Sequence, residues 1–310
     1  DRDRFWRNLL PVPATLFCSD AQRISLLQLL KMSEKSHRRY VLSLLLSVAV
    51  FAAIWIGLVK LEIAIKTPMA SAKWYDEMVT VKTEIANRTA SPKVLIVGGS
   101  GTHFGIQAEK IQAETGRRVI NFGLFADISL PVLLNTVASS VRPGDQVVLA
   151  LEYELYSYNA RHPSESLVDY ALNGETDVLS QIPFFDRMIL MFSIPPRRLA
   201  DGYWAKLRGR EMYANNAEYD AATVNVFGDE TSFRVTPRVH KMIESARKGR
   251  ENSTLLNGIQ EPNGGWKILE DFIEKSRHSG VQVLATFPNL MDKPGYKGRL
   301  VGEEQIVRFY

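Results

Sequence analysis

The hydrophobic positions after residue 92 form short apolar runs that alternate with amphipathic segments. The runs, rich in β-branched residues, lie at 94–97, 118–121, 146–151 and 281–287. Segments with apolar residues at helical spacing lie at about 104–115, 129–141 and 265–279. Runs of that length predict buried strands, and the spacing predicts helices between them. Because the first three strands alternate with two helices, we expect a βαβαβ unit and a parallel sheet covered on both faces.

The alternation stops between about residues 153 and 250, where aromatic residues mix with turn formers and the pair Pro195-Pro196 interrupts any continuous helix. We expect a helical and irregular insertion there that walls one side of a site. A last helix is predicted from about 302 to 310 and is still running where the sequence stops. An α/β domain of this kind normally adds another strand and helix, so we expect a domain at 92–310 that is truncated at its C-terminus.

An uncharged apolar run, Val41 to Val59, precedes this domain. At about 1.5 Å per residue such a run nearly crosses a hydrocarbon core of roughly 30 Å. We therefore predict a transmembrane helix at 40–60 and a juxtamembrane linker or helix at 61–91. A buried core helix is the first alternative, but such helices usually carry some polar residues. A cleavable signal peptide ending at Ala70-Ser71-Ala72 is the second alternative. Signal peptides, however, have a shorter apolar core than this run, and their core lies closer to the cleavage site.

The charges that flank the apolar run predict its orientation. The stronger basic cluster, at 35–39, lies on the N-terminal side, so the positive-inside rule places residues 1–39 in the cytoplasm and the later domain outside it. Met32 opens a segment typical of a short cytoplasmic n-region, so residues 1–31 are either not native or a genuine tail. The single cysteine, Cys18, precedes the membrane helix, so no intrachain disulfide can form.

Charge and histidine spacing do not favour nucleic-acid binding or a metal site. The net charge of +4 is small and its basic residues are scattered, which does not favour nucleic-acid binding. The five histidines show no spacing typical of a metal site. We therefore expect no metal, no cofactor and no nucleic acid.

The first predicted strand ends abruptly at Gly98-Gly99-Ser100-Gly101, before an amphipathic segment begins. This sequence predicts strand, tight turn and helix, with Ser100 at the turn. The first backbone N–H groups of a helix have no partner within it, and glycine lets another group approach closely. Such a turn suits either a nucleophile or a phosphate.

A phosphate would indicate nucleotide binding, and the spacing Gly99-x-Gly101-x-x-x-Gly105 resembles a dinucleotide turn. That site also needs an acidic residue at the end of the second strand, which here ends in Asn121-Phe122-Gly123. Acyl transfer is the favoured hypothesis, with Ser100 as the nucleophile. Its own N–H and that of Gly123, in the next loop, would stabilise the oxyanion.

The two turns resemble the first two sequence blocks of the SGNH (GDSL-type) hydrolase superfamily. The matching residues are Gly98-Gly99-Ser100 and Asn121-Phe122-Gly123-Leu124. Together with the membrane helix they resemble, more narrowly, SGNH-like proteins of bacterial envelope and exopolysaccharide modification. The resemblance implies a three-layer, flavodoxin-like parallel sheet, with Ser100 as nucleophile and Gly123 as oxyanion donor.

The sequence departs from the family at the other two blocks. The third block supplies an oxyanion Asn, but this chain has Leu151-Glu152-Tyr153-Glu154, and Asn159 is the nearest amide. Glu152 is then either a structural anchor or a substrate contact, and a buried carboxylate would need a partner. The family's Asp-x-x-His block occurs nowhere in the 310 residues. His103 is a candidate substitute base, but it follows the turn and is expected to face sideways, so a site-lining or surface histidine is the favoured interpretation.

These observations lead to one expected function and one alternative. We expect a serine esterase or acyltransferase acting on O-acyl groups of an envelope or exported polysaccharide. Further candidate substrate-binding residues are Gly99, Gly101, His103, Asn121, Glu152 and Asn159. The alternative is a non-catalytic glycan-binding or assembly component of a polysaccharide modification or secretion complex. Expected partners are a carbohydrate polymer or acyl donor and other envelope proteins, with the chain anchored once in a bacterial inner membrane and its domain in the periplasm.

Overall fold

The structure of this chain is a computed structural model. It describes residues 20–66, 70–159, 161–174, 177–209, 221–232, 264–287 and 297–310, with side chains for all of these except 20–35, 70–71 and 297–302. Part of the predicted tail (1–19) and parts of the predicted insertion (210–220 and 233–250) therefore lie outside the described residues. The chain divides between Gly57 and Leu58 into two compact units.

The first helix, α1 (Asp20–Ile65), contains the predicted membrane segment. Its portion Ser36–Ile65 has a mean hydropathy of 2.5 in its most apolar window, and none of that window is buried. About 20 apolar residues suffice to cross a bilayer. Of the helices described, this is the one that is long and apolar enough to span a membrane.

Four parallel strands form the sheet, in the order β2-β1-β3-β4. They are β1 (Val94–Gly98), β2 (Val119–Gly123), β3 (Gln146–Leu149) and β4 (Gln282–Ala285), and all four occur where the apolar runs predict them. This is the order of the first four strands in flavodoxin-like sheets. The chain adds β2 on one side of β1 and then β3 on its other side, so the strand order reverses at β1. The register pairs Gly98 with Gly123, so the two glycine turns lie side by side.

The helices that follow β1 and β2 differ from the prediction in one respect. The single helix expected at 104–115 is two helices, α3 (Ser100–Gly105) and α4 (Ala108–Thr115). The break occurs because the Asp229 carboxylate accepts hydrogen bonds from the amides of Ala108 and Glu109, at 2.7 and 2.9 Å, and caps α4 from a distant segment. Between β2 and β3 lies α5 (Leu130–Ala138), as predicted.

The inserted region is helical where the structure describes it. After β3 come α6 (Tyr153–Tyr156), α7 (Glu165–Asn173), α8 (Val178–Gln181), α9 (Phe184–Ser193) and α10 (Pro196–Arg208). The helix before β4 is α11 (Gly264–His278), and the last described helix is α12 (Lys297–Phe309). Residues 221–232 lie beside β2, where the amide of Asn121 donates to the carbonyl of Phe227 at 2.9 Å.

The juxtamembrane segment is part of the domain core. It forms α2 (Ala70–Arg88), whose Met78 and Ala86 are fully buried. On the same helix the Tyr75 ring stacks on Phe125 with centroids 3.7 Å apart. Stacked aromatic pairs add to the stabilisation from apolar burial, so α2 is packed against the sheet's loops and does not behave as a free linker.

A buried ion pair closes the opposite end of the sheet. Lys93, before β1, and Asp145, before β3, have fully buried side chains with Nζ and Oδ2 2.7 Å apart. Burial alone would raise the pKa of Asp145, but hydrogen bonds, first among them that from Lys93, hold it below its ordinary value. The pair therefore ties the starts of two neighbouring strands.

Candidate functional site

Ser100 is the first residue of α3 and is exposed, next to the buried Gly99 and the half-buried Gly101. Gly98 precedes it, and a Cβ added there would lie 2.1 Å from Thr102 Oγ1 and 2.6 Å from the Ala150 carbonyl. Only glycine fits this close approach, which explains the residue type. The turn lies at the carboxyl end of β1, where the strand order reverses and where ligands of such sheets bind. The sequence predicted this placement of Ser100.

Glu152 holds the turn from the neighbouring strand. It follows β3, is 7% exposed, and accepts hydrogen bonds from the amides of Gly99 and Gly101, both at 2.7 Å. The carboxylate thus bridges the residues on either side of Ser100. Of the two roles left open by the sequence, the structural anchor is the one these contacts describe. Gly99 and Gly101 likewise use their amides within the protein, although the sequence suggested them as substrate contacts.

The electrostatics of Glu152 limit what can bind at the turn. Burial raises its pKa, while the hydrogen bonds from Gly99, its own backbone and Gly101 act in the opposite direction. The Glu152 side chain itself occupies the start of α3, the position that a phosphate takes in a nucleotide site. This geometry gives no support to the nucleotide hypothesis.

Gly123 has a packing role, which differs from its predicted role as oxyanion donor. Its amide donates to Asn121 Oδ1 at 2.9 Å. A Cβ added at Gly123 would lie 2.2 Å from the backbone nitrogen of His103. The glycine lets α3 pack directly on β2, and its N–H is already bonded within the protein.

Asn121 is fully buried, so it does not contact a substrate as the sequence suggested. Its Nδ2 donates to the carbonyl oxygens of Thr102, His103 and Ile106, at 3.2, 3.2 and 3.0 Å. Thr102 and His103 belong to α3 and Ile106 follows its last residue, and the last carbonyls of a helix lack partners within it. Asn121 therefore caps α3 against β2.

His103 lies on the inner side of α3 and is 1% exposed. Its Nε2 is 3.5 Å from Glu230 Oε2, and its ring meets Trp74 edge-on at 6.5 Å between centroids. Burial and the nearby Lys82 ammonium lower the pKa of His103 to about 3, against the effect of Glu230. The imidazole is a neutral core group that faces α2, so neither substrate binding nor a surface position describes it.

Lys82 is a charged group that the sequence analysis missed. It is fully buried, and its Nζ donates to the carbonyls of Asn121 and Gly228, at 2.9 and 2.5 Å. Burial lowers its pKa to about 7, against the attraction of Asp229 and Glu230. The burial of Lys82 could have been predicted from its spacing, because it stands four residues from both Met78 and Ala86 and so lies on the same buried face of α2.

Asn159, the amide nearest to the expected third block, is exposed beyond α6. Its Oδ1 accepts a hydrogen bond from the amide of Arg161 at 3.0 Å, which stabilises a local turn.

The structure brings together Ser100, Gly99, Gly101 and Glu152 at one edge of the sheet. Asn121, Gly123 and His103 lie behind α3.

Sizeable cavities in the described residues lie away from Ser100, among them one of about 450 Å³ beside Lys93 and Arg117. Another of about 500 Å³ lies between α5, α9 and α11, and a third of about 550 Å³ lies between α7 and α10. Ser100 lines none of these three. Within the described residues there is also no group of three or more His, Cys, Asp or Glu side chains that could hold a metal ion.

Comparison of this chain with protein-family models, with curated proteins and with solved structures gives no match.

Proposed function

We propose that this chain is an SGNH-like serine esterase or acyltransferase, with Ser100 as the nucleophile. One observation carries the proposal: an exposed serine begins α3 at the carboxyl end of β1, on a turn whose amides on either side are bonded to Glu152. A rigid turn holds the hydroxyl in one place, which favours attack on a bound carbonyl. The proposed substrate is an O-acyl group, such as acetyl, on an envelope or exported polysaccharide, and it is implied by the resemblance of the two glycine turns.

In the proposed reaction Ser100 Oγ bonds to the acyl carbon and gives its proton to a general base. The sugar oxygen leaves and takes that proton, and an acyl-serine remains. Water or a second sugar hydroxyl then attacks the acyl carbon and releases Ser100, which gives hydrolysis or transfer. The amide of Ser100, between the two that bind Glu152, is the donor that the proposal assigns to the oxyanion.

The proposal does not assign the general base to His103. His103 is the histidine nearest in sequence to Ser100, and it is neutral, buried and directed at Glu230. A serine without an imidazole is a poor nucleophile. The proposal therefore requires a partner that approaches Ser100 from the exposed side of the turn.

A second candidate is a non-catalytic glycan-binding or assembly module. It is favoured by the hydrogen bonds that Glu152 accepts from Gly99 and Gly101, and by the bond from Gly123 to Asn121. With three amides of the two turns bonded internally, the edge offers a hydroxyl for binding and fewer donors for an oxyanion. The two candidates share the same edge of the sheet and differ in turnover.

The proposed location follows from α1 and the charges around it. We place the chain in a bacterial inner membrane with α1 spanning once, its N-terminus in the cytoplasm and the α/β domain in the periplasm. The basic residues at 35–39 support that orientation. A carbohydrate polymer, an acyl donor and other polysaccharide-modification proteins are the proposed partners.

The test compares the full chain in detergent with Ser100→Ala, using acetate release from p-nitrophenyl acetate and from an acetylated polysaccharide. The matched control is Ser139→Ala, which removes another exposed hydroxyl at the end of α5. We expect Ser100→Ala to lose about 10³-fold or more of the activity, and the control to keep it. Equal activity in Ser100→Ala contradicts the proposal, and glycan binding without turnover in the unmodified chain selects the second candidate.

A further inference from the structure

Helix α10 has a buried face and an exposed apolar face. Leu199, Gly202 and Ala205 are buried. On the opposite side Trp204 is 55% and Leu207 is 80% exposed. Because residues three apart are neighbours on a helix surface, these two side chains form a short exposed apolar stripe.

The buried face of α10 is fixed to the last turns of α1. A Cβ added at Gly202 would lie 2.3 Å from Glu62 Oε1, so glycine allows the close approach of the two helices. Lys206 Nζ lies 2.7 Å from the Glu62 carboxylate, which is fully buried. The Tyr203 hydroxyl donates to the Leu58 carbonyl at 2.6 Å. These contacts join α10 to the part of α1 where the uncharged apolar run ends.

Leu58 lies at the end of the uncharged apolar run and Glu62 lies one turn beyond it. In a bilayer crossed by α1, the hydrocarbon layer would therefore end at the level of these contacts with α10. Tryptophan is enriched at that level, and Arg and Lys reach lipid phosphates there. The Arg208 guanidinium lies 4.4 Å from the Trp204 ring centroid. Arg197 borders the stripe as well, 3.7 Å from Asp201 in an exposed pair that solvent screens.

We propose that α10 lies in the headgroup layer of the bilayer that α1 spans, with Trp204 and Leu207 against the lipid chains and Arg208 among anionic headgroups. The proposal does not depend on chemistry at Ser100. It assigns the exposed stripe to lipid because α10 is bonded to the end of the membrane helix and pairs an aromatic residue with arginine. The domain is thereby attached to the membrane surface at two elements, α1 and α10.

The test measures the depth of a spin label on the full chain in nanodiscs. The single cysteine is first removed by Cys18→Ser, and Leu207→Cys then carries a nitroxide. The matched control is Val226→Cys, since Val226 is 75% exposed on the segment beside β2. Power saturation compares access of oxygen, which enters lipid, with access of a water-soluble nickel chelate. We expect a higher ratio of oxygen to nickel access at 207 than at 226.

Equal ratios at the two positions would overturn the proposal. Concentration-dependent spin–spin broadening at 207, with full access of nickel, would instead show that a second copy covers the stripe, which also overturns it. The charge is tested by adding Arg208→Glu to the Leu207→Cys chain. We expect the ratio to fall in phosphatidylcholine nanodiscs that contain phosphatidylglycerol and to change little in phosphatidylcholine alone. If the ratio in the anionic nanodiscs is the same with Arg208 and with Arg208→Glu, the proposed role of Arg208 is refuted.

Discussion

Replacing Glu152 tests whether its carboxylate holds the turn that presents Ser100. The carboxylate accepts hydrogen bonds from the amides of Gly99 and Gly101, both at 2.7 Å. A hydrogen bond to a charged group contributes about 1.5–3 kcal/mol. Because Glu152→Ala removes two such bonds, we expect the free energy of unfolding to fall by about 3–6 kcal/mol. Glu152→Gln keeps one acceptor oxygen and turns an NH₂ group toward the other amide, so we expect about half that loss.

The assay is thermal unfolding of the full chain in detergent, followed by tryptophan fluorescence. A loss of 1 kcal/mol lowers the Tm of a domain of this size by roughly 2–4 °C, so Glu152→Ala should lower it by about 6 °C or more. The matched control is Glu154→Gln, which changes an exposed carboxylate two residues away. If Glu152→Ala unfolds at the same temperature as this control, the carboxylate does not hold the turn.

The pH dependence gives an independent check on Glu152. Burial raises its pKa above the ordinary value of 4.5, so the folded chain binds this proton more tightly than the unfolded chain. The stability from Glu152 therefore falls as the pH rises from 4.5 through the folded pKa. Because Glu152→Gln lacks this titration, the Tm gap between it and the unmodified chain should narrow toward neutral pH. A gap that widens would refute the reasoning.

Three further substitutions test buried contacts of the domain, each by the same unfolding assay. Lys93→Met leaves the buried Asp145 carboxylate without its ammonium, so we expect a loss of about 3–5 kcal/mol in the free energy of unfolding. Gly123→Ala forces a Cβ against the backbone of α3, so we expect a loss of about 1–3 kcal/mol. Lys82→Met removes a lysine whose pKa is lowered to about 7 in the folded chain, so the unfolded chain binds that proton more tightly. The stability of the unmodified chain, measured relative to the variant, should therefore rise with pH above about 7.

Matched controls separate these effects from generic losses. Lys110→Met changes an exposed lysine on α4, and Gly264→Ala adds a Cβ that meets nothing within 4 Å. If Lys93→Met or Gly123→Ala costs no more than its control, the buried pair or the close approach does not contribute as argued. A pH-independent difference for Lys82→Met would contradict a lowered pKa.

The sheet and the turn could be predicted because their signals are local. The apolar run at 94–97 ends in two glycines, and a strand that stops at such a turn is readable from neighbouring residues. The parallel order follows from the alternation of strands and helices. Ser100 could therefore be placed at the carboxyl edge of the sheet before any coordinates.

The partners at this edge could not be predicted, because they lie far away in sequence. Glu152 binds amides 51 and 53 residues earlier, and the cap on α4 comes from Asp229, 121 residues later. The spacing of neighbouring residues does not indicate contacts over such sequence distances. The Gly123 amide differs, since its acceptor Asn121 is two residues away. The close approach of α3 to Gly123, at Thr102 and His103, is the contact that local sequence could not predict.

Covalent labelling of Ser100 tests the central claim most directly. The full chain is treated with a fluorophosphonate, which bonds to a serine oxygen only when that serine is activated, and the adduct is located by peptide mass spectrometry. The proposal predicts one adduct on the peptide that contains Ser100, retained in Ser139→Ala and absent in Ser100→Ala. No adduct on that peptide in the unmodified chain, with the chain folded, would contradict a nucleophilic Ser100.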